Sequence, residues 1–147
     1  MKAVIRFLAL PTSSRHLLLQ SALLLVVSRL TLAVLSFRVV LRLHAWVTRR
    51  GLLLSPSGSR PAEQIAWALG VAGRRVPGGR NCLVQALAGA SLLLRAGHHS
   101  RLCIGVNRSS GNPLDAHAWV ELDGRPIIGA VREPRYICLL SWDGGQV

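Results

Sequence analysis

The chain has 147 residues, half of them hydrophobic, and a formal charge of +12 that comes almost wholly from arginine, with Lys2 the single lysine. That much apolar material excludes intrinsic disorder and suffices for one real core. The charge calls for an acidic partner such as a peptide, but no nucleic-acid motif accompanies it, so nucleic acid is not among the expected partners. Cys82, Cys103 and Cys138 are an odd number at wide spacings, without a C-x-x-C pair or a histidine at ligand spacing. This argues against a disulfide framework and against a structural metal, and no cofactor is expected.

In chain order, the segment from about Arg15 to Arg50, RHLLLQSALLLVVSRLTLAVLSFRVVLRLHAWVTRR, is the most apolar. Arg15, Arg29, Arg38 and Arg42 interrupt it before it reaches the roughly 18 uninterrupted apolar residues of a membrane span. One or two amphipathic helices are expected, packed on their own domain, on a partner protein, or peripherally on a membrane surface. Arg29 also precedes any small-residue cleavage site of a signal peptide, so the expected location is cytoplasmic, with membrane association through these helices left open.

LSPSGSRP, 54–61, is a linker by composition, which divides the chain into a helical region 1–53 and a domain 62–147. Pro61 suits the first turn of a helix over AEQIAWALGVAGRR, and Pro77-Gly78-Gly79 stops it. NCLVQALAGASLLLRAG reads as a second helix with Gly97 at a left-handed cap. RLCIGVN, HAWVEL, RPIIGAV and RYICLLSW then read as short strands. The fold class is α+β, a cysteine-bearing helix packed on a small antiparallel sheet.

Two residues carry the chemistry. Cys82 follows Asn81, a favoured N-cap residue, and therefore sits where aligned peptide dipoles and free N–H groups stabilise a thiolate. In DAHAWVELDGRPIIG, Ala118, Val120 and Leu122 alternate with His117, Trp119 and Glu121, which puts the histidine on the polar face of a strand. A helix-start cysteine followed by a strand-borne histidine is the arrangement of nucleophilic thiol catalysis, in which imidazole takes the thiol proton. Cys103 and Cys138, with strand neighbours on both sides, read as small buried hydrophobes.

The run VAGRRVPGGRNCLVQALAGASLLLRAGHHSRLCIGVNR and the string DAHAWVELDGRPIIG resemble the transglutaminase-like leader peptidases of lasso-peptide biosynthesis, the microcin-processing B family. The resemblance covers about half the chain. It implies a transglutaminase-like, papain-like cysteine protease core with Cys82 as nucleophile and His117 as base. It further implies removal of the leader from a ribosomally made precursor peptide, so that a separate lasso cyclase can close the ring. Nothing here resembles the leader-recognition domain of longer family members, so the split form, dependent on a separate recognition protein, is expected. Asn81 and Trp119 are the candidate substrate-binding residues.

The family's third catalytic residue is an aspartate, and the matching position here is Gly129. A three-residue hairpin loop with Gly124 at its bulge would pair 121 with 125 and set 129 opposite His117. Asp115, Glu133 and the turn residue Asp123 are the remaining candidates for the orienting acid. Restoring an aspartate at 129 is expected to raise the rate, provided glycine is not needed there for a positive φ. The same two residues would serve a transglutaminase-type acyl transferase, and the absent carboxylate suits a non-catalytic scaffold that presents the precursor to the cyclase.

Overall fold

The computed structural model describes residues 7, 9–50, 60–107, 115–131 and 136–144. Within them run four helices, α1 (Thr12–Val34), α2 (Phe37–Arg50), α3 (Ala62–Gly73) and α4 (Cys82–Arg95), then β1 (Ser100–Asn107), β2 (Asp115–Leu122), β3 (Arg125–Ile128) and β4 (Ile137–Trp142). Residues 54–59 of the expected linker and the candidate acid Glu133 lie outside the described residues.

The apolar N-terminal segment forms two helices, and its arginines do not break the first. α1 runs unbroken through Arg15 and Arg29 and ends only where Leu35 turns extended. A lone arginine is a good helix former and needs only an exposed position, which Arg29 has. By length and composition α1 could cross a membrane, yet it presents Leu17, Leu18, Leu24 and Leu25 to the protein interior. α2 turns Val40, Leu41, His44 and Ala45 inward and carries Arg49 and Arg50 in its last turn, where cations suit the helix dipole.

α4 is the central element. Val84, Ala86 to Leu93 and the glycine among them are all buried, because α1, α2 and α3 pack on it from one side and β1, β2 and β3 from the other. A run of Ala, Gly and Ser is what lets so many neighbours approach one helix. The hydrophobic cluster is continuous from Leu17 in α1 through Leu41, Leu69 and Leu87 to Leu102, Val120, Ile128 and Trp142, so the helical region and the sheet share one core.

Deep in this helical layer, the His44 ring links three helices. Its Nδ1 lies 2.7 Å from Ser91 Oγ on α4, and its Nε2 3.3 Å from Ser28 Oγ on α1. Ser91 donates its own proton to the Leu87 carbonyl, so its oxygen accepts from Nδ1–H, and Nε2 is left to accept from Ser28. Burial holds the His44 ring neutral by pushing its pKa down to about 4.

The sheet is antiparallel with the order β3-β2-β1-β4. The expected three-residue hairpin loop is not what forms. Leu122 pairs with Arg125, leaving only Asp123 and Gly124 in the turn, with φ of 50° and 77°. Two successive positive φ values match the right-handed strand twist, and Asp tolerates the left-handed region well enough to hold the first of them. The extra residue sits further along instead, where the register shifts between Val120 and Glu121, so 121 pairs with Pro126 and 120 with Ile128.

Candidate active site

Cys82 is the first residue of α4, and the helix starts there because Asn81 caps it: Asn81 Oδ1 accepts from the N–H groups of Leu83 at 3.0 Å and Val84 at 3.2 Å. Asn81, a candidate substrate-binding residue, thus commits its side-chain oxygen to the helix. At the other end, Gly97 takes φ 87° and turns the chain back into β1. β1 therefore runs antiparallel to α4, and its far end, Asn107, lies toward Cys82. Asn107 pairs with Asp115, and Gly105 with His117, so the starts of α4 and β2 occupy the same end of the domain.

His117 is half-buried and shares its sheet face with Trp119 and Glu121, while Ala118 and Val120 of the same strand belong to the core beneath. Its ring is held on three sides. Nε2 lies 2.7 Å from the Gly129 carbonyl oxygen. The Trp119 ring is stacked at 6.2 Å and 11°, and the Tyr136 ring is tilted at 5.0 Å. A carbonyl can only accept, so Nε2 carries the proton in the neutral ring and Nδ1 is the free base.

Gly129 thus meets His117 through its backbone. It leaves β3 with φ 72°, and a Cβ built on it would stand 2.9 Å from the Ala118 carbonyl and 3.3 Å from Trp119 Cα. The neighbour across the ribbon is Trp119 and not His117, as the shifted register requires. A side chain at 129 is opposed twice, by conformation and by space. The condition attached to an aspartate there is not met.

Neither of the other described candidates for an orienting acid is hydrogen-bonded to the ring. Asp123 is in the turn. Asp115 accepts a 2.6 Å hydrogen bond from the Tyr136 hydroxyl. That bond, then burial and the charges of Asp115 and Cys82, push the Tyr136 hydroxyl above its ordinary pKa, which also places the Cys82 thiol in the neighbourhood of that ring. Tyr136 is the chain's one tyrosine, and sequence reasoning missed it, because its contact with His117 crosses the intervening strand β1.

Trp119 is only 8% exposed, and its indole N–H donates to Glu121 Oε1 at 2.8 Å. Glu121 is held below the usual carboxylate range by that bond and by Arg101, whose guanidinium lies 2.9 Å away. A cleft of about 260 Å³ opens beside the ring, lined among others by His117, Trp119, Gly129, Ala130 and Tyr136. Cys82 does not line it, and no hydrogen bond joins the Cys82 sulfur to His117. Of the remaining thiols, Cys103 is fully buried, and burial pushes its pKa up to about 12, which makes it a poor nucleophile, whereas Cys138, expected to be buried too, is exposed because its strand lies at the edge of the sheet. Among the described residues no group of three or more His, Cys, Asp or Glu is placed to hold a metal ion.

A capped cysteine at a helix start, and a histidine on the adjoining antiparallel sheet, point to one family of folds, and the family model described as the transglutaminase-like superfamily matches residues 22–140. The chain belongs to the transglutaminase-like superfamily. The match begins inside α1 and ends within β4, so it takes in the N-terminal helices together with the sheet. No curated protein and no solved structure matches the chain. The superfamily includes cysteine peptidases and acyltransferases, both of which act through a thiolate.

Proposed function

We propose that this transglutaminase-like protein is a cysteine peptidase that removes the leader from a ribosomally synthesised lasso precursor peptide before a cyclase closes the ring, working with a separate leader-recognition protein. The observation that carries the reading is the 2.7 Å contact between His117 Nε2 and the Gly129 carbonyl: because a carbonyl only accepts, the proton belongs on Nε2 and Nδ1 is left to accept another. In this scheme the Cys82 thiol gives its proton to Nδ1, and the thiolate attacks the scissile carbonyl. The Cys82 N–H, at the unsatisfied end of α4, donates to the oxyanion that forms. His117 then protonates the leaving amine, and water hydrolyses the thioester. Catalytic hydrogen bonds are often long in an empty site and tighten on the substrate, which accommodates the absence of a Cys82–His117 bond. The Gly129 carbonyl orients the ring as a carboxylate would but brings no full charge to stabilise imidazolium, so slow turnover is expected.

That absence, together with the absence of a carboxylate on Nε2, favours a second reading, a scaffold that presents the precursor to the cyclase without cutting it. The two separate in one experiment. A candidate precursor is incubated with the recognition protein and with wild-type chain, Cys82→Ala or His117→Ala, and the products are weighed by mass spectrometry. The peptidase reading requires a shortened peptide from the wild type alone. A precursor left intact by all three, or cut equally by all three, ends it, and a cross-linked product assigns the chain to the acyltransferases.

A further inference from the structure

The sheet has two edges, and they are treated differently. β3 is only four residues long and contains Pro126, which has no N–H to offer, so it makes a poor template for another strand. β4 is six residues, ICLLSW, with neither proline nor charge, and among the described residues it pairs with β1 alone, on one side. Ile137 is 66% exposed, Leu139 69% and Leu140 45%, so over Ile137–Ser141 both faces of this strand reach solvent, while Trp142 at its end is buried. A row of edge N–H and C=O groups is completed by extended main chain and by little else.

The ground beside the edge is cationic. A groove of about 510 Å³ runs between α2 and β4, lined by Arg38, Leu41 and Arg42 on one side and by Leu140 and Trp142 on the other, with Asp143 also at its wall. Arg38 and Arg42 are exposed, α2 contains no acidic residue, and none precedes Glu63 in the chain. Arg49 donates to the Gly144 carbonyl at 3.3 Å and so ties α2 alongside the far end of the strand. The near end of β4 follows directly on Tyr136, whose ring lies 5.0 Å from that of His117, and Ile137 pairs with Val106 at the end of the sheet where Cys82 stands.

We propose that the open edge of β4 is the docking edge for an extended, acidic stretch of the peptide substrate, which adds to the sheet as a fifth strand beside Arg38 and Arg42 and is thereby led past Tyr136 to Cys82. The assignment of that stretch to the substrate rests on the peptidase reading; the edge and its charge do not. Lipid cannot complete main-chain hydrogen bonds at an edge. A second copy paired edge to edge would set the arginines of two chains, each of formal charge +12, beside one another.

The test uses the full chain carrying Cys82→Ala, so that binding is read without cleavage and its outcome is independent of whether the wild type cuts anything. The probes are short fluorescein-labelled peptides of alternating valine and glutamate, the same peptide with lysine for glutamate, and the glutamate peptide with every second amide N-methylated. Fluorescence anisotropy should show saturable binding of the glutamate peptide, weakened about tenfold or more by N-methylation, by the lysine exchange and by Arg38→Glu with Arg42→Glu. Equal binding of the N-methylated peptide, equal binding of the lysine peptide, or none at all would overturn the proposal. So would sedimentation velocity showing a dimer that Leu139→Lys dissolves, since a second copy would then occupy the edge. The N-methylated probe needs no protein variant, so the result does not depend on the arginine substitutions folding.

Discussion

At the scale of single residues, the position where the lasso-peptidase resemblance calls for an aspartate meets the histidine through a backbone atom. Position 129 lacks the carboxylate that would hold the histidine, and the carbonyl of the same residue meets Nε2 at 2.7 Å. The positive φ of 72° and the Ala118 carbonyl, 2.9 Å from where a Cβ would be, make this arrangement hard to reverse. Gly129→Asp is therefore expected to lower stability by about 1–3 kcal/mol, the scale of a strained backbone, and not to speed cleavage. Urea unfolding beside single-turnover cleavage checks it. A folded Gly129→Asp protein that cuts faster than wild type would show that the acid can be accommodated after all. Tyr136, bound to Asp115 and tilted over His117, limits the ring from the other side.

At the scale of elements, the hairpin and the helical layer show how local and distant constraints differ. The Asp-Gly turn between β2 and β3 was legible as a turn, but not the placement of the extra residue, since a two-residue loop with the bulge further along the strand and a three-residue loop with the bulge at Gly124 are nearly equal in local terms. The buried His44 was not legible at all: one histidine within an apolar helix says nothing about serines 16 positions before it and 47 after it. It makes a pH prediction. Unfolded, the ring titrates near 6.5; folded, it titrates at about 4. Between those values the unfolded chain binds the extra proton, so stability is full above about pH 6.5, falls as the pH drops and levels off below about 4. The loss attributable to this group is about 3 kcal/mol. Urea midpoints across pH 4 to 7.5 should show that slope in the wild type and lose it in His44→Gln. An unchanged slope in the variant would place the titration elsewhere.

At the scale of the whole molecule, α1 poses the question of what surrounds it. One face, with Leu25 fully buried, belongs to the core; the other carries Leu19, Leu23 and Leu30, each more than half exposed. If α1 is a structural helix of this domain, Leu25→Ala should cost about 2–5 kcal/mol through lost burial and the cavity left behind. Leu19→Gln, Leu23→Gln and Leu30→Gln should each stay within about 0.5 kcal/mol, as exposed substitutions do. Chemical denaturation of the four variants decides it, and a neutral Leu25→Ala would mean that α1 is stabilised by something outside the chain.

The sequence by itself determined the elements whose causes are local. The cysteine at a helix start follows from an Asn cap and an apolar repeat, the histidine on a strand from two-residue alternation, and the Asp-Gly turn from the φ values it permits. It also determined the charge, and through the HAWVE string and the cysteine helix, the transglutaminase-like class of the fold. Only the tertiary structure decided which atoms meet. The Gly129 carbonyl on His117 depends on a register shift in β3; Tyr136 reaches the ring from two strands away; and the open side of β4 exists only because the chain closes its sheet in the order β3-β2-β1-β4. Such contacts join residues whose spacing along the chain carries no period, so composition and periodicity leave them unspecified until the sheet and helices pack.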